Sequence, residues 1–175
     1  MSQHQNKSQG RLGKGMIYAA WLLALALLTW VFSGWLHEQR NPNREVRSFI
    51  QGGQATVVLE RNRYGHYNAA GQINGEDVEF MLDTGATTVS VPAGLAQQLG
   101  LKKGPAIAAT TANGTITTYL TRLDSVRLGT IELRDIRASI NPHMRGHEVL
   151  LGMSFLKNLE FSQRGRALIL KHPAP

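Results

Sequence analysis

From Met16 to Leu36 the chain carries 21 residues without a charge, MIYAAWLLALALLTWVFSGWL. At about 1.5 Å per residue, a helix of that length crosses the hydrocarbon core of a bilayer. The block therefore stands apart from any soluble fold and divides the sequence. Residues 1–15 are a basic tail, 16–36 a membrane anchor and 37–54 a polar linker. Residues 55–172 make one soluble domain. A cleaved signal peptide shares the basic start but has an apolar core of about 7–15 residues and a small-residue cleavage site. Here the core is longer, Val31-Phe32-Ser33 is only a passable site, and Trp30 and Trp35 stand where interfacial aromatics belong. An uncleaved anchor is the expectation. Lys and Arg number three on each flank, so charge does not orient the span. A short tail before it and a folded domain after it place the N-terminus in the cytoplasm and the domain outside.

The net charge of +7 suggests nucleic acid until it is located. The tail contributes +3 and residues 37–47 a further +1. The domain's own basic residues are scattered and never interleave with aromatics, so no nucleic-acid partner is expected. The chain has no cysteine, which removes thiol catalysis, zinc–thiolate sites and disulfides. His143 and His147 have a helical ligand spacing, but Pro142 and Gly146 make their segment a loop. No metal and no cofactor are expected. No strand–Gly-rich turn–helix unit forms a phosphate loop, and no serine sits in a nucleophile elbow.

The domain reads as short strands separated by turn signals. Ala55–Glu60 is β-rich. His66–Ile73 and Glu76–Leu82 flank Asn74-Gly75, a type I′ hairpin signal because both central residues need φ > 0. A short strand ends at Pro92, and Ala93–Leu99 is a short helix closed by Gly100. A second hairpin, Ile107–Thr111 with Thr115–Leu120, surrounds Asn113-Gly114. Ser125–Leu128 and Ile131–Ile140 make a third pair. Val149–Leu151 is a fully apolar strand stopped by Gly152, Ser154–Leu159 a helical turn, and Glu160–Ser162 with Ala167–Lys171 a closing hairpin. Strands at this spacing predict an all-β fold, a small closed barrel with short helices.

The chemistry concentrates in Phe80-Met81-Leu82-Asp83-Thr84-Gly85-Ala86. A carboxylate at the end of an apolar strand is partly desolvated and needs hydrogen bonds. Gly85 lets a backbone N–H approach it, and Thr84 offers a hydroxyl to lock the loop. On the bare triplet an Asx-turn, with Asp83 capping the next N–H groups, is an equal reading.

In context the sequence resembles the retropepsin-like aspartic proteases, and especially their bacterial membrane-anchored branch, from about Tyr64 to Leu170. The resemblance is carried by Gly65-His66-Tyr67, Ile73-Asn74-Gly75, Asp83-Thr84-Gly85-Ala86, Leu99-Gly100-Leu101, Thr111-Ala112-Asn113-Gly114 and Leu150-Leu151-Gly152-Met153-Ser154. It implies a pepsin-half barrel with Asp83, Thr84 and Gly85 as catalytic turn. Ala86 and the flap residues Thr111, Ala112, Asn113 and Gly114 would then face a peptide or protein substrate. It further implies the inner membrane of a bacterium, with the protease domain periplasmic. Two departures stand out. Met153-Ser154 replaces the Arg-Asn that follows the late glycine in viral retropepsins, and the flap is Thr-rich rather than Gly-rich.

Peptide hydrolysis by carboxylates needs one group to take a proton from water and another to give one to the carbonyl oxygen. The chain has one Asp-Thr-Gly; Asp77, Asp124 and Asp135 lie in ordinary contexts. A homodimer pairing Asp83 with its symmetry mate supplies the second carboxylate. The reading from a different class is a catalytically silent β-barrel that binds or tethers peptides at the membrane surface.

Overall fold

The computed structural model describes residues 6–111 and 114–173. The chain divides into two compact units between Gln39 and Arg40. The first is dominated by one helix, α1 (Asn6–Arg40). Its stretch Gly15–Gly34 has a mean hydropathy of 2.0 and no buried residue, and is long and apolar enough to cross a membrane. The polar side chains inside it fold back on the helix: Thr29 Oγ1 donates to Leu25 O at 2.7 Å and Ser33 Oγ to Trp30 O at 2.9 Å. Such back-bonding satisfies the two hydroxyls within the helix itself.

The second unit is all-β with two short helices. β3 (Asn68–Ile73) and β4 (Glu76–Leu82) form the hairpin read from Asn74-Gly75, whose φ values are 54° and 87°. β5 (Val89–Pro92) leads into α2 (Ala93–Gln98), which Gly100 terminates at φ 63°. β6 (Ala106–Thr111) pairs with the start of β7 (Gly114–Leu128), and β8 (Ile131–Asn141) runs back along β7. β9 (Glu148–Leu151) lies between β4 and β5, parallel to the first and antiparallel to the second. α3 (Met153–Leu156) follows.

The sheet order β3-β4-β9-β5-β8-β7 closes on itself, because β3 also pairs with β7 at Gln72↔Arg127 and Ile73↔Val126. The hairpin tip clamps that seam. Asn74 N–H donates to Ser125 O at 3.0 Å, and Ser125 N–H to Asn74 Oδ1 at 3.1 Å. Phe80, Ile73, Leu123, Leu151 and Phe155 fill the interior and are fully buried. β6 stands outside the ring, attached only to β7.

A second sheet has the order β1 (Arg47–Gln51), β2 (Gln54–Glu60), β11 (Ala167–Pro173), β10 (Glu160–Arg164). This corrects two boundaries. Residues 37–54, expected as a stalk, continue α1 to Arg40 and then enter the fold. Asn43 is buried; its Nδ2 donates to Asn68 O at 2.6 Å and to Glu60 O at 2.9 Å, and its Oδ1 accepts from Glu60 N–H at 2.7 Å. The strands expected at Thr115–Leu120 and Ser125–Leu128 are one strand, β7, of 15 residues.

Candidate active site

Asp83 follows β4 directly, where two neighbouring strands fix the chain. Leu82 N–H donates to Tyr67 O at 3.0 Å on one side, and Asp83 N–H to Leu151 O at 3.2 Å on the other. The backbone then turns: Ala86 N–H donates to Asp83 O at 3.3 Å, and Gly85 N–H to the carboxylate Oδ1 at 2.8 Å. That last bond is common to the catalytic reading and to a plain Asx-turn. A Cβ on residue 85 would lie 3.2 Å from Oδ1, so glycine gives the carboxylate its room. Asp83 is half-buried and Thr84 exposed. Among the described residues Thr84 Oγ1 has no hydrogen-bond partner.

The far side of the turn is pinned by α3. Met153 N–H donates to Ala86 O at 2.8 Å and Ser154 N–H to Thr87 O at 3.0 Å. Ser154 Oγ accepts Val89 N–H at 2.9 Å. A Cβ on residue 152 would sit 2.3 Å from Thr88 O and 2.6 Å from Ala86 O. Gly152-Met153-Ser154 is thus a backbone clamp on the turn, and Ser154 supports it where viral relatives carry Asn.

Asp83 and Thr84 open on a cleft of about 470 Å³ lined also by Tyr67, Leu82, Phe161 and Gln163. Among the described residues Asp83 is its one acidic lining residue. Tyr67, Phe161 and Gln163 were not legible as site residues. Tyr67 sits in a run read as strand and as one piece of the resemblance but with no site role, and Phe161 and Gln163 lie about 80 residues downstream, joined to Asp83 only by the fold. The Tyr67 hydroxyl is buried with no hydrogen-bond partner among the described residues. The expected flap is the β6–β7 hairpin. Thr111 Oγ1 donates to Gly114 O at 2.8 Å across its end, and Gly114 has φ 111°. Ala112 and Asn113 lie outside the described residues. Thr111, Gly114 and Ala86 are not among the residues lining the Asp83 cleft. Among the described residues no three His, Asp or Glu side chains cluster at a spacing that holds a metal ion.

Residues 69–158, just over half of the chain, match the family described as "gag-polyprotein putative aspartyl protease". The chain belongs to the retropepsin-like aspartic proteases. A retropepsin-like aspartic protease from Rickettsia conorii is 27% identical, with a TM-score of 0.56 over 74% of this chain and 97% of that one. The EIAV protease, in complex with the inhibitor HBY-793, is 18% identical, with a TM-score of 0.45 over 55% of this chain and 89% of that one. A Sinorhizobium sp. protein described as "Uncharacterized protein in cobV 5'region" is 28% identical over 170 residues, 90% of this chain and 73% of the relative. The retropepsin-like match takes in the turn, the clamp and most of the barrel.

Proposed function

We propose that the chain is a membrane-anchored aspartic endopeptidase whose active form is a homodimer. One observation carries this: a half-buried carboxylate, oriented by Gly85 N–H at the mouth of a cleft, with no second acid in that cleft. A two-fold axis beside Asp83 supplies the missing group. Two carboxylates that close cannot both ionise cheaply, so they hold one proton between them. The charged one takes a proton from water, and the protonated one donates to the peptide carbonyl oxygen. The Thr84 hydroxyl, without a partner among the described residues, bonds across the axis in this dimer and locks the two turns. The β6–β7 hairpin, with Thr111, Ala112, Asn113 and Gly114 at its end, serves as the flap, binding peptide backbone as an added strand, and Ala86 contacts the same peptide.

Residues 16–36 anchor the enzyme in a bacterial inner membrane, with the protease domain in the periplasm. The exposed apolar face of α1 and the two bacterial relatives support this reading. Peptide and protein chains are the substrates, with no metal or cofactor in the reaction. The rival reading, a silent peptide-binding barrel, is favoured by Met153-Ser154 in place of the viral Arg-Asn; the intact Asp83-Thr84-Gly85-Ala86, with a carboxylate held by Gly85 N–H, favours the enzyme.

Peptide turnover at mildly acid pH, followed against the concentration of the full chain in detergent, tests the assembly. Activity per chain is expected to rise with concentration and then level off. Activity strictly proportional to concentration, down to a demonstrated monomer, contradicts the shared site.

A further inference from the structure

Four arginines from three separate stretches of the sequence meet at one end of the domain, and Asn62 gathers them. Its buried side chain donates from Nδ2 to Arg40 O at 3.0 Å and to Asn68 Oδ1 at 3.1 Å. Its Oδ1 accepts Tyr64 N–H at 2.9 Å and His66 N–H at 3.0 Å. The loop 61–66 is thereby fixed to the residue at which the domain begins. The turn between β10 and β11 joins it: Arg61 N–H donates to Arg166 O at 3.0 Å, and Arg166 Nη2 donates to Arg61 O at 2.9 Å. Arg40, Arg61, Arg63 and Arg166 therefore share this end, three of them exposed and Arg61 half-buried. Tyr64 stands among them 63% exposed, with Arg63 Cζ 5.0 Å from its ring centre. The neighbouring acids are engaged elsewhere. Glu60 bonds Arg47 at 3.2 Å, and Glu79 and Glu148 accept from Asn68 Nδ2 at 3.4 and 2.7 Å.

Arg40 is the fourth residue after Leu36, where the apolar block ends. Four residues span at most about 14 Å, so chain length alone keeps this end of the domain near the surface of a bilayer that holds the block. Basic side chains close to an anionic leaflet are drawn to it, and guanidinium matches phosphate oxygens two at a time. A tyrosine suits the same depth, its ring toward the acyl boundary and its hydroxyl in water. We infer that this end of the domain is a docking face for anionic lipid headgroups, with the arginines on lipid phosphates and Tyr64 seated between them. The inference rests on the anchored reading above and adds a second contact to it, one that fixes how the domain stands on the membrane and makes that stance depend on lipid charge.

The chain has no cysteine, so one introduced thiol takes a fluorophore specifically. His66→Cys lies exposed in the loop, and Glu76→Cys lies exposed at the opposite end of the β3–β4 hairpin. Each is made in the full chain, labelled, and reconstituted into phosphatidylcholine vesicles with or without phosphatidylglycerol, the lipid carrying a headgroup quencher. Quenching at position 66 should rise about threefold or more with phosphatidylglycerol and fall back on adding salt, while position 76 stays unquenched. Arg40→Glu with Arg63→Glu leaves the Arg166 bond to Arg61 O in place. It should return position 66 to its phosphatidylcholine level with melting unchanged; salt tests the same pairing without any substitution. Flotation with the vesicles separates the docking face from the anchor. A chain that floats with both lipids, yet shows equal quenching at 66 in both or equal quenching at 66 and 76, overturns the docking face and leaves the anchor standing. A chain that floats only with phosphatidylglycerol and is released by salt upholds the face and overturns the anchor. A chain that floats with neither overturns both. Retention of an acidic polypeptide without lipid-dependent quenching at 66 assigns the arginines to a protein partner and overturns the docking face.

Discussion

At Gly152 a methyl group meets two backbone carbonyls that the active-site turn cannot move without losing its bonds to α3. Gly152→Ala should therefore lower stability by about 1–3 kcal/mol, the usual cost of forced overpacking, and impair turnover. Thermal melting checks this against Gly94→Ala, where a Cβ meets nothing within 4 Å and the midpoint should hold or rise. Glu132 makes a different forecast. Arg127 bonds its carboxylate at 2.5 and 3.0 Å, Arg134 at 3.0 Å, and the hydrogen bond from Arg127 foremost lowers its pKa. A carboxylate held lower in the folded state stabilises above its unfolded pKa and loses that contribution as pH falls through the folded one. Glu132 is partly buried but both arginines are exposed and solvent screens the pairs, so the effect is about 1 kcal/mol or less. Melting of Glu132→Gln against pH should show a smaller loss on the acid limb than the unsubstituted chain; equal losses contradict the assignment.

Among the elements, the β6–β7 hairpin is the one whose role can be separated from the fold. β6 lies outside the closed ring, and Gly114 holds φ 111°, a conformation a β-branched residue enters only under strain. Gly114→Val should cut peptide turnover severalfold or more while shifting melting little, since the strain is confined to an element outside the barrel. Turnover at the unsubstituted level would move the flap elsewhere. The same elements show what a sequence can disclose. The two Asn-Gly turns, the Asp-Thr-Gly stop of an apolar strand and the apolar run before Gly152 are local signals, and the hairpins and the turn follow from them. β1 is not local. It is exposed at every residue but half-buried Ser48, Phe49 and Ile50 included, and it is held by backbone pairing to β2, so no hydrophobic period marks it. Asn43, Asn62 and Asn68 are buried amides that bond backbone and one another, and composition gives such residues to linkers. The Phe161 and Gln163 wall of the cleft depends on how the β10–β11 hairpin folds back to Asp83, which no short window contains.

At the scale of the whole molecule, the account is one of a half-site made whole by association. The barrel holds the turn, α3 clamps it, and one carboxylate per chain faces the cleft. On the proposed reading, α1 as an anchor would confine domains to a plane and raise their effective concentration, so that a weak dimer would suffice. What the association must assemble is the pair of Asp83 carboxylates. Asp83→Asn tests that most directly, because Asn keeps the shape of the side chain and an oxygen that accepts from Gly85 N–H, but cannot ionise. Peptide turnover, melting and sedimentation are measured on both proteins in parallel. The account predicts no turnover by the Asp83→Asn chain, with a dimer retained and a melting midpoint equal to or above that of the unsubstituted protein, the repulsion between paired carboxylates being gone. Cleavage persisting in a folded, dimeric Asp83→Asn protein contradicts it.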